Sequence, residues 1–210
     1  MTAKRKNAGR APVAHEAPVA LGISGASGVI YGVRLLDCLL SAGREVHLVV
    51  SDAGRIVLKE ELDLSAKGLR GRGAVTLHGN GEIGAAIASG SFTLHGTVIC
   101  PCSANTVGAL AHGVGDSLIT RIGAVALKER WPLIVVPRES PYSTPLLDNM
   151  RALSSYGARI IPASPSFYRR PVSVEELVDS VVDRVLAHLG MEAILPAWGG
   201  ESERGNPDRN

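Results

Sequence analysis

Aromatic side chains are scarce in this sequence: Phe, Trp and Tyr make up 4% of its 210 residues. Packing must rest on the Val, Leu, Ile and Ala within a 45% apolar fraction, a mixture that suits a parallel sheet covered by helices. Charge of one sign is missing as well. A net charge of +2 falls short of the basic excess of a nucleic-acid binder, so no nucleic-acid partner is expected. No apolar run is long enough to span a bilayer, and the opening "MTAKRKNAGRAPVAHEAPVA" lacks the apolar core of a signal peptide. The expectation is a cytoplasmic protein without a membrane partner. Cysteine is rare and odd in number, which argues against a disulfide framework. Cys100-Pro101-Cys102 has His95 and His112 nearby, yet the spacing matches none of the common structural zinc sites. These cysteines read as small buried residues at a strand end, and no metal is expected.

What is present is a rhythm. Between a basic tail over 1–17 and a polar tail over 199–210, both predicted to be disordered, short apolar runs alternate with helical patterns. "APVALGIS", "EVHLVVS", "AVTLH", "TVICP", "PLIVVP" and "ARIIPA" read as strands. "VIYGVRLLDCLLSAG", "AGRIVLKEEL", "SANTVGALAHG", "SLITRIGAVALKERW", "TPLLDNMRALSSYG" and "SVEELVDSVVDRVLAHLG" read as helices. Residues 66–82, rich in Gly and basic groups, are predicted as an irregular connection around one strand. Ser173 and Glu176 predict a capping box, and Leu177, Val178, Val181, Val182, Val185, Leu186 and Leu189 one apolar face. The fold class is α/β: a single doubly wound, three-layer domain over 18–198 with a mainly parallel sheet, Rossmann-like or flavodoxin-like.

In such folds ligands bind beyond the carboxyl ends of the strands, where helix N-termini present N–H groups to anions. "GISGASGVIYG", Gly22 to Gly32, is a candidate phosphate cradle. It lacks the G-x-G-x-x-G spacing of a dinucleotide site, and the second strand ends in Ser51 rather than an acid, which favours a mononucleotide with one phosphate. A tight turn without ligand is the alternative. "CPCSANT" sets Ser103 and Thr106 on the first turn of another helix, where both hydroxyls face one anion or Ser103 simply caps. Arg121 and Lys128, seven apart, share a helix face. Arg138 and Glu139 follow an apolar strand directly and so stand at the ligand-binding edge. Tyr168, Arg169, Arg170 and Arg184 complete the set; taken singly, each is an ordinary surface charge or packing aromatic.

With "GISGASGVIYGVRLL", "EVHLVVS", "SGSF", "CPCSANT", "LITRIGAVALKERWPLIVVPRESP" and "FYRRP" in this order, the stretch from Val19 to Trp198 resembles the UbiX-type flavin prenyltransferases. The resemblance implies that FMN and dimethylallyl phosphate are bound without a metal. The dimethylallyl group is joined to N5 and C6 of reduced FMN, and the product serves a UbiD-type decarboxylase. It implies FMN contacts from Gly25, Ala26, Ser27, Ser51, Ser103, Ala104, Asn105, Thr106 and Arg138. Arg121, Lys128, Glu139, Tyr168 and Arg184 would hold the allylic phosphate, with Trp198 lining the prenyl site. Catalytic roles would fall to Ser27, Glu61, Lys128, Glu139 and Tyr168, Glu61 assisting proton removal. A homo-oligomer, commonly a dodecamer with sites at subunit contacts, is implied too. Asn105 stands where the family often has lysine, and "YRRP" replaces "YHRP", which leaves the role of Arg169 open. An FMN-binding subunit without catalysis is one alternative. A flavin-dependent cysteine decarboxylase is another, but the P-x-M-N-x-x-M-W segment expected of it is absent.

Overall fold

The computed structural model describes residues 17–195. Trp198 and the two predicted tails, Ala17 excepted, lie outside the described residues. Six strands, β1 (Val19–Ile23), β2 (Val46–Val50), β3 (Val75–Gly79), β4 (Gly96–Cys102), β5 (Leu133–Pro137) and β6 (Arg159–Ile160), form one sheet. Their order is β3-β2-β1-β4-β5-β6, and every pair is parallel. The helices are α1 (Val29–Ser41), α2 (Asp52–Leu62), α3 (Ala66–Arg70), α4 (Ala104–Ala111), α5 (Leu118–Glu129), α6 (Thr144–Ser155) and α7 (Val174–His188). None is long and apolar enough to cross a membrane.

Side chains alternate across a strand, and here both faces are covered, so both must be apolar. Val19, Leu21 and Ile23 of β1 join Val46, Leu48 and Val50 of β2 against α1, α2, α3 and α7. Ala20, Val49, Ile99, Leu133 and Val135 face α4, α5 and α6 on the other side. The α7 stripe packs as predicted from Val178 to Leu189, Leu177 being only half-buried. Arg34 on α1 grips Asp179 on α7 through two bonds, Nε at 2.5 Å and Nη2 at 3.0 Å, tying the two helices side by side.

The structure departs from the expected elements in four places. Within 66–82 there is a further helix, α3, because Ser65 caps Gly68 N and buries Leu69; its five residues are too short for a periodic signal. The sixth strand shrinks to two residues at the sheet edge. At α7 only half of the capping box forms: Ser173 accepts from Glu176 N, but the Glu176 carboxylate accepts from Val172 N instead. A complete box forms at Ser117 and Thr120, where the reach back comes from a threonine rather than Glu or Gln. Cys100 and Cys102 are fully buried as expected. A register shift between Ile99 and Cys102 sends Cys102 to the face opposite Cys100.

One polar pair sits in this apolar frame. His47 Nδ1 and His78 Nε2 lie 2.8 Å apart across β2 and β3, with stacked rings. Glu45 Oε1 is 3.5 Å from the other nitrogen of His47, and Glu82 Oε2 is 3.8 Å from that of His78. Burial pushes both imidazoles below the ordinary 6.5, and for His47 the neighbouring His78 adds to it, while the carboxylates oppose. The folded state thus prefers them neutral, and their contribution to stability is complete above about pH 6.5 and lost as pH falls below it. His188, lowered by burial and by Arg159 and Arg184, acts in the same sense. Urea titrations are therefore expected to show stability declining from roughly pH 7 to pH 5, with a shallower decline in His78→Gln. An equal slope in that variant would remove the pair from the account.

Candidate active site

Strand order reverses between β1 and β4, and the crevice beyond that point is where a doubly wound sheet binds its ligands. The turn after β1 is shaped by two glycines. A Cβ on Gly25 would collide with that of Ala53, so α2 starts flush against the turn. Gly28 has φ +89°, a left-handed conformation that costs a side-chain-bearing residue strain. From this turn α1 starts without a side-chain cap of its own at Gly28. The cap comes from α2: the Glu61 carboxylate accepts from Gly28 N at 3.1 and 2.9 Å and from Val29 N at 3.1 Å. The turn predicted as a phosphate cradle thus has these two N–H groups engaged by a carboxylate of the same chain. An anion from outside has to use another helix start.

Two such starts adjoin it. Ser51 caps α2 through Gly54 N at 3.0 Å. Ser103 caps α4, accepting from Thr106 N at 3.4 Å, and its Oγ lies 3.0 Å from Thr106 Oγ1. The capping reading of Ser103 is seen, and its hydroxyl also pairs with that of Thr106 beside the first N–H groups of α4, which no helical carbonyl reaches. Ala104 and Asn105 supply the backbone between them, Ala104 half-buried and Asn105 exposed. Buried Ser24 holds this start in place, donating to Pro101 O at 3.0 Å and accepting from Ser103 N at 2.7 Å. Sequence reasoning did not select Ser24; its only signal was a hydroxyl closing an apolar run.

Arg138, just past β5, donates from Nε to Ser27 O at 3.0 Å and so bridges β5 to the glycine turn. Ser27 is exposed and Ala26 buried. Half-buried Tyr31, also not selected from the sequence, packs near Gly28 and Arg138. Burial first, then Cys100, raises its phenol above the ordinary value, and the Arg138 charge pulls it back. The crevice therefore gathers Gly25, Ala26, Ser27, Glu61, Ser103, Thr106 and Arg138 from the predicted set. It offers hydroxyls, N–H groups and one guanidinium, a donor set that fits a single phosphate and a polar ring edge.

Among the described residues, those predicted for the allylic phosphate are spread over several places, and only Tyr168 and Arg184 share a cleft. Glu139 is exposed beside Arg138 and accepts from Ser140 N. Tyr168 and Arg184 share a separate cleft of about 380 Å³ between the segment after β6 and α7. Arg169 lies over the Tyr168 ring, 5.3 Å from its centroid, and donates to its hydroxyl at 3.3 Å, which gives that arginine a partner. Arg121 donates to Ala88 O at 3.2 Å from the first turn of α5. Lys128 sits in the last turn of that helix, paired with Glu129, near the start of β5 and hence at the edge opposite Arg138. The shared helix face is real, but two turns separate the charges by about 10 Å.

A parallel sheet with polar helix starts grouped at its reversal point defines a nucleotide-binding α/β protein, and the matching family model, described as Flavoprotein, spans residues 12–186. The chain is 44% identical over 195 residues to the flavin prenyltransferase UbiX of Pseudomonas aeruginosa, covering 86% of this chain and 93% of that one. A dodecameric FMN-dependent UbiX-like decarboxylase from Escherichia coli O157:H7 superposes with a TM-score of 0.83 at 36% identity, covering 87% of this chain and all of the other. AnUbiX (PadA1), solved in complex with FMN and dimethylallyl pyrophosphate, gives 0.82 at 33% identity over 87% of this chain and 99% of that one. The chain belongs to the UbiX flavin prenyltransferase family.

If the Glu61 carboxylate closes α1, Glu61→Ala is expected to cost about 1 kcal/mol in chemical denaturation, the usual loss of an N-cap. Sulfate should recover part of that loss in the variant beyond any effect it has on the wild type, because only the variant presents an open start at α1. Unchanged stability in Glu61→Ala would show that the three bonds carry no weight.

Proposed function

We propose that the protein binds reduced FMN in the crevice at the strand reversal and transfers to it a dimethylallyl group from dimethylallyl phosphate, forming bonds at N5 and C6. The observation that carries this reading is the crevice itself, where Ser27, Glu61, the Ser103–Thr106 pair and Arg138 meet. Because Glu61 takes the start of α1, the FMN phosphate goes to the start of α4, with Ser51 alongside and the ring system along Gly25–Ser27. AnUbiX, solved with FMN and dimethylallyl pyrophosphate, supports both ligands.

When bound, reduced FMN supplies the nucleophilic atoms. The chain supplies charge and position. An allylic phosphate leaves when cations gather around its oxygens, the role given to Arg121, Lys128 and Arg184, with Glu139 and Tyr168 orienting them. An aromatic surface in place of water steadies the allyl carbon, the role given to Tyr168 and Trp198. Glu61, held 2.9 Å from Gly28 N at the edge of the crevice, is placed to accept a proton as the ring closes, beside Ser27. These cations are spread over one chain. The donor site is therefore completed between copies of the chain in a homo-oligomer, a dodecamer as in the Escherichia coli relative. The prenylated product passes to a UbiD-type decarboxylase in the cytoplasm.

The test is anaerobic incubation with reduced FMN and dimethylallyl phosphate, followed by mass measurement of the released flavin. A gain of one C5 unit is expected; bound but unchanged FMN would decide for a non-catalytic flavin carrier. Lys128→Ala is expected to lower the rate about a hundredfold or more while leaving FMN bound, since it removes a cation that acts on the leaving group. A variant as fast as the wild type would take Lys128 out of the site.

A further inference from the structure

The cleft that holds Tyr168 and Arg184 has one wall whose origin the reading above leaves unexplained. After α7 the chain turns back along the helix, and Leu195 lines the cleft together with Ile161, Pro162 and Val181. Asp183 holds it there. Its Oδ1 accepts from Ile194 N at 2.7 Å and from Leu195 N at 3.2 Å, two successive backbone groups eleven and twelve residues along the chain. A carboxylate lining a cleft meant for an anion opposes binding unless its charge is engaged, and here one oxygen carries both N–H groups while Arg184 is its sequence neighbour.

The cleft is amphipathic. Arg184 and Tyr168 supply a cation and a phenol, and Ser164, Ser166 and Ser180 line it with hydroxyls, though Ser180 Oγ already accepts from Ser166 N at 3.1 Å. Ile161, Val181 and Leu195 supply its apolar lining. That pairing suits a small branched hydrocarbon carrying one phosphate. Without the Asp183 bonds nothing in the segment's own secondary structure fixes Leu195, because the described residues between α7 and Leu195 form neither helix nor strand.

We propose that Asp183 is a positioning residue for the allyl donor: by pinning the amides of Ile194 and Leu195 it sets the apolar wall of the donor cleft. This rests on the prenyltransferase reading and adds to it a residue that touches neither flavin nor donor phosphate. Asp183→Ala is expected to raise KM for dimethylallyl phosphate about tenfold, the worth of one charge-assisted bond, with kcat and FMN affinity little changed. Amide hydrogen exchange at Ile194 and Leu195 should accelerate in the same variant while α7 stays protected. Asp183→Asn, which keeps an acceptor oxygen, should recover most of both. Leu195→Ala should reproduce the KM effect without touching the tether, which keeps the proposal open to test if Asp183→Ala folds poorly.

Unchanged KM in Asp183→Ala and Leu195→Ala, or unchanged exchange at the two amides, would overturn it. If the wild type adds no C5 unit to FMN, the functional reading fails first. The exchange measurement then still decides whether Asp183 holds the segment.

Discussion

A carboxylate from α2 closes the start of α1, and the arrangement of the crevice follows from that contact. Left open, the N–H groups at Gly28 and Val29 would form the strongest anion site at the first strand-to-helix turn, the place where dinucleotide-binding folds put a pyrophosphate. Glu61 fills it from within. The turn's first N–H groups are then taken, and in the proposed function the phosphate is assigned to the polar start of α4, which Ser24 braces. The contact needs α2 to start hard against the turn, which the missing Cβ of Gly25 permits. One small residue and one carboxylate thus decide that the start of α1 is closed to an outside anion.

The scattering of the other charges has a physical reading. An allylic phosphate surrounded by cations in a single open chain would meet water as readily as flavin, and its carbocation would be quenched. Arg121 and Lys128 lie on α5 while Arg184 lies in the cleft beside α7, and the proposed function has the donor pocket completed where copies of the chain meet. Assembly of that kind would exclude water in the same step that gathers positive charge, where a low dielectric makes each cation count for more. The two layers of helices serve this by holding a sheet so apolar on both faces that polar groups are confined largely to its rims. Among the described residues His47, half-covered His78 and Thr97 of β4 are exceptions, and burial favours the neutral form of both imidazoles.

Much of the fold could be read from periodicity because the physics behind it is local. Largely apolar runs of five to seven residues separated by helical patterns point to a parallel sheet covered on both faces, and β1, β2, β4 and β5 are buried throughout. Ser103 and Ser173 were legible as helix starts, since a cap is made by residues three apart. One short element escaped, since α3 has no room for a period, and the strand read over "ARIIPA" was right in place but longer than the two residues of β6.

The sequence by itself determined the class of fold, the places where chain meets helix start, and, through motifs in a fixed order, the family. These depend on neighbours within a few residues or on patterns the chain carries openly. Only the tertiary structure decided that Glu61 engages Gly28, thirty-three residues away, that Ser24 reaches Ser103 across seventy-nine, and that Asp183 pins the segment at Leu195. It also set Lys128 on α5 apart from the cleft of Tyr168 and Arg184, residues that the resemblance had put on one allylic phosphate. The reason is that a hydrogen bond between distant residues exists only once the sheet order has brought their elements together, and nothing in the local pattern of either residue records its partner.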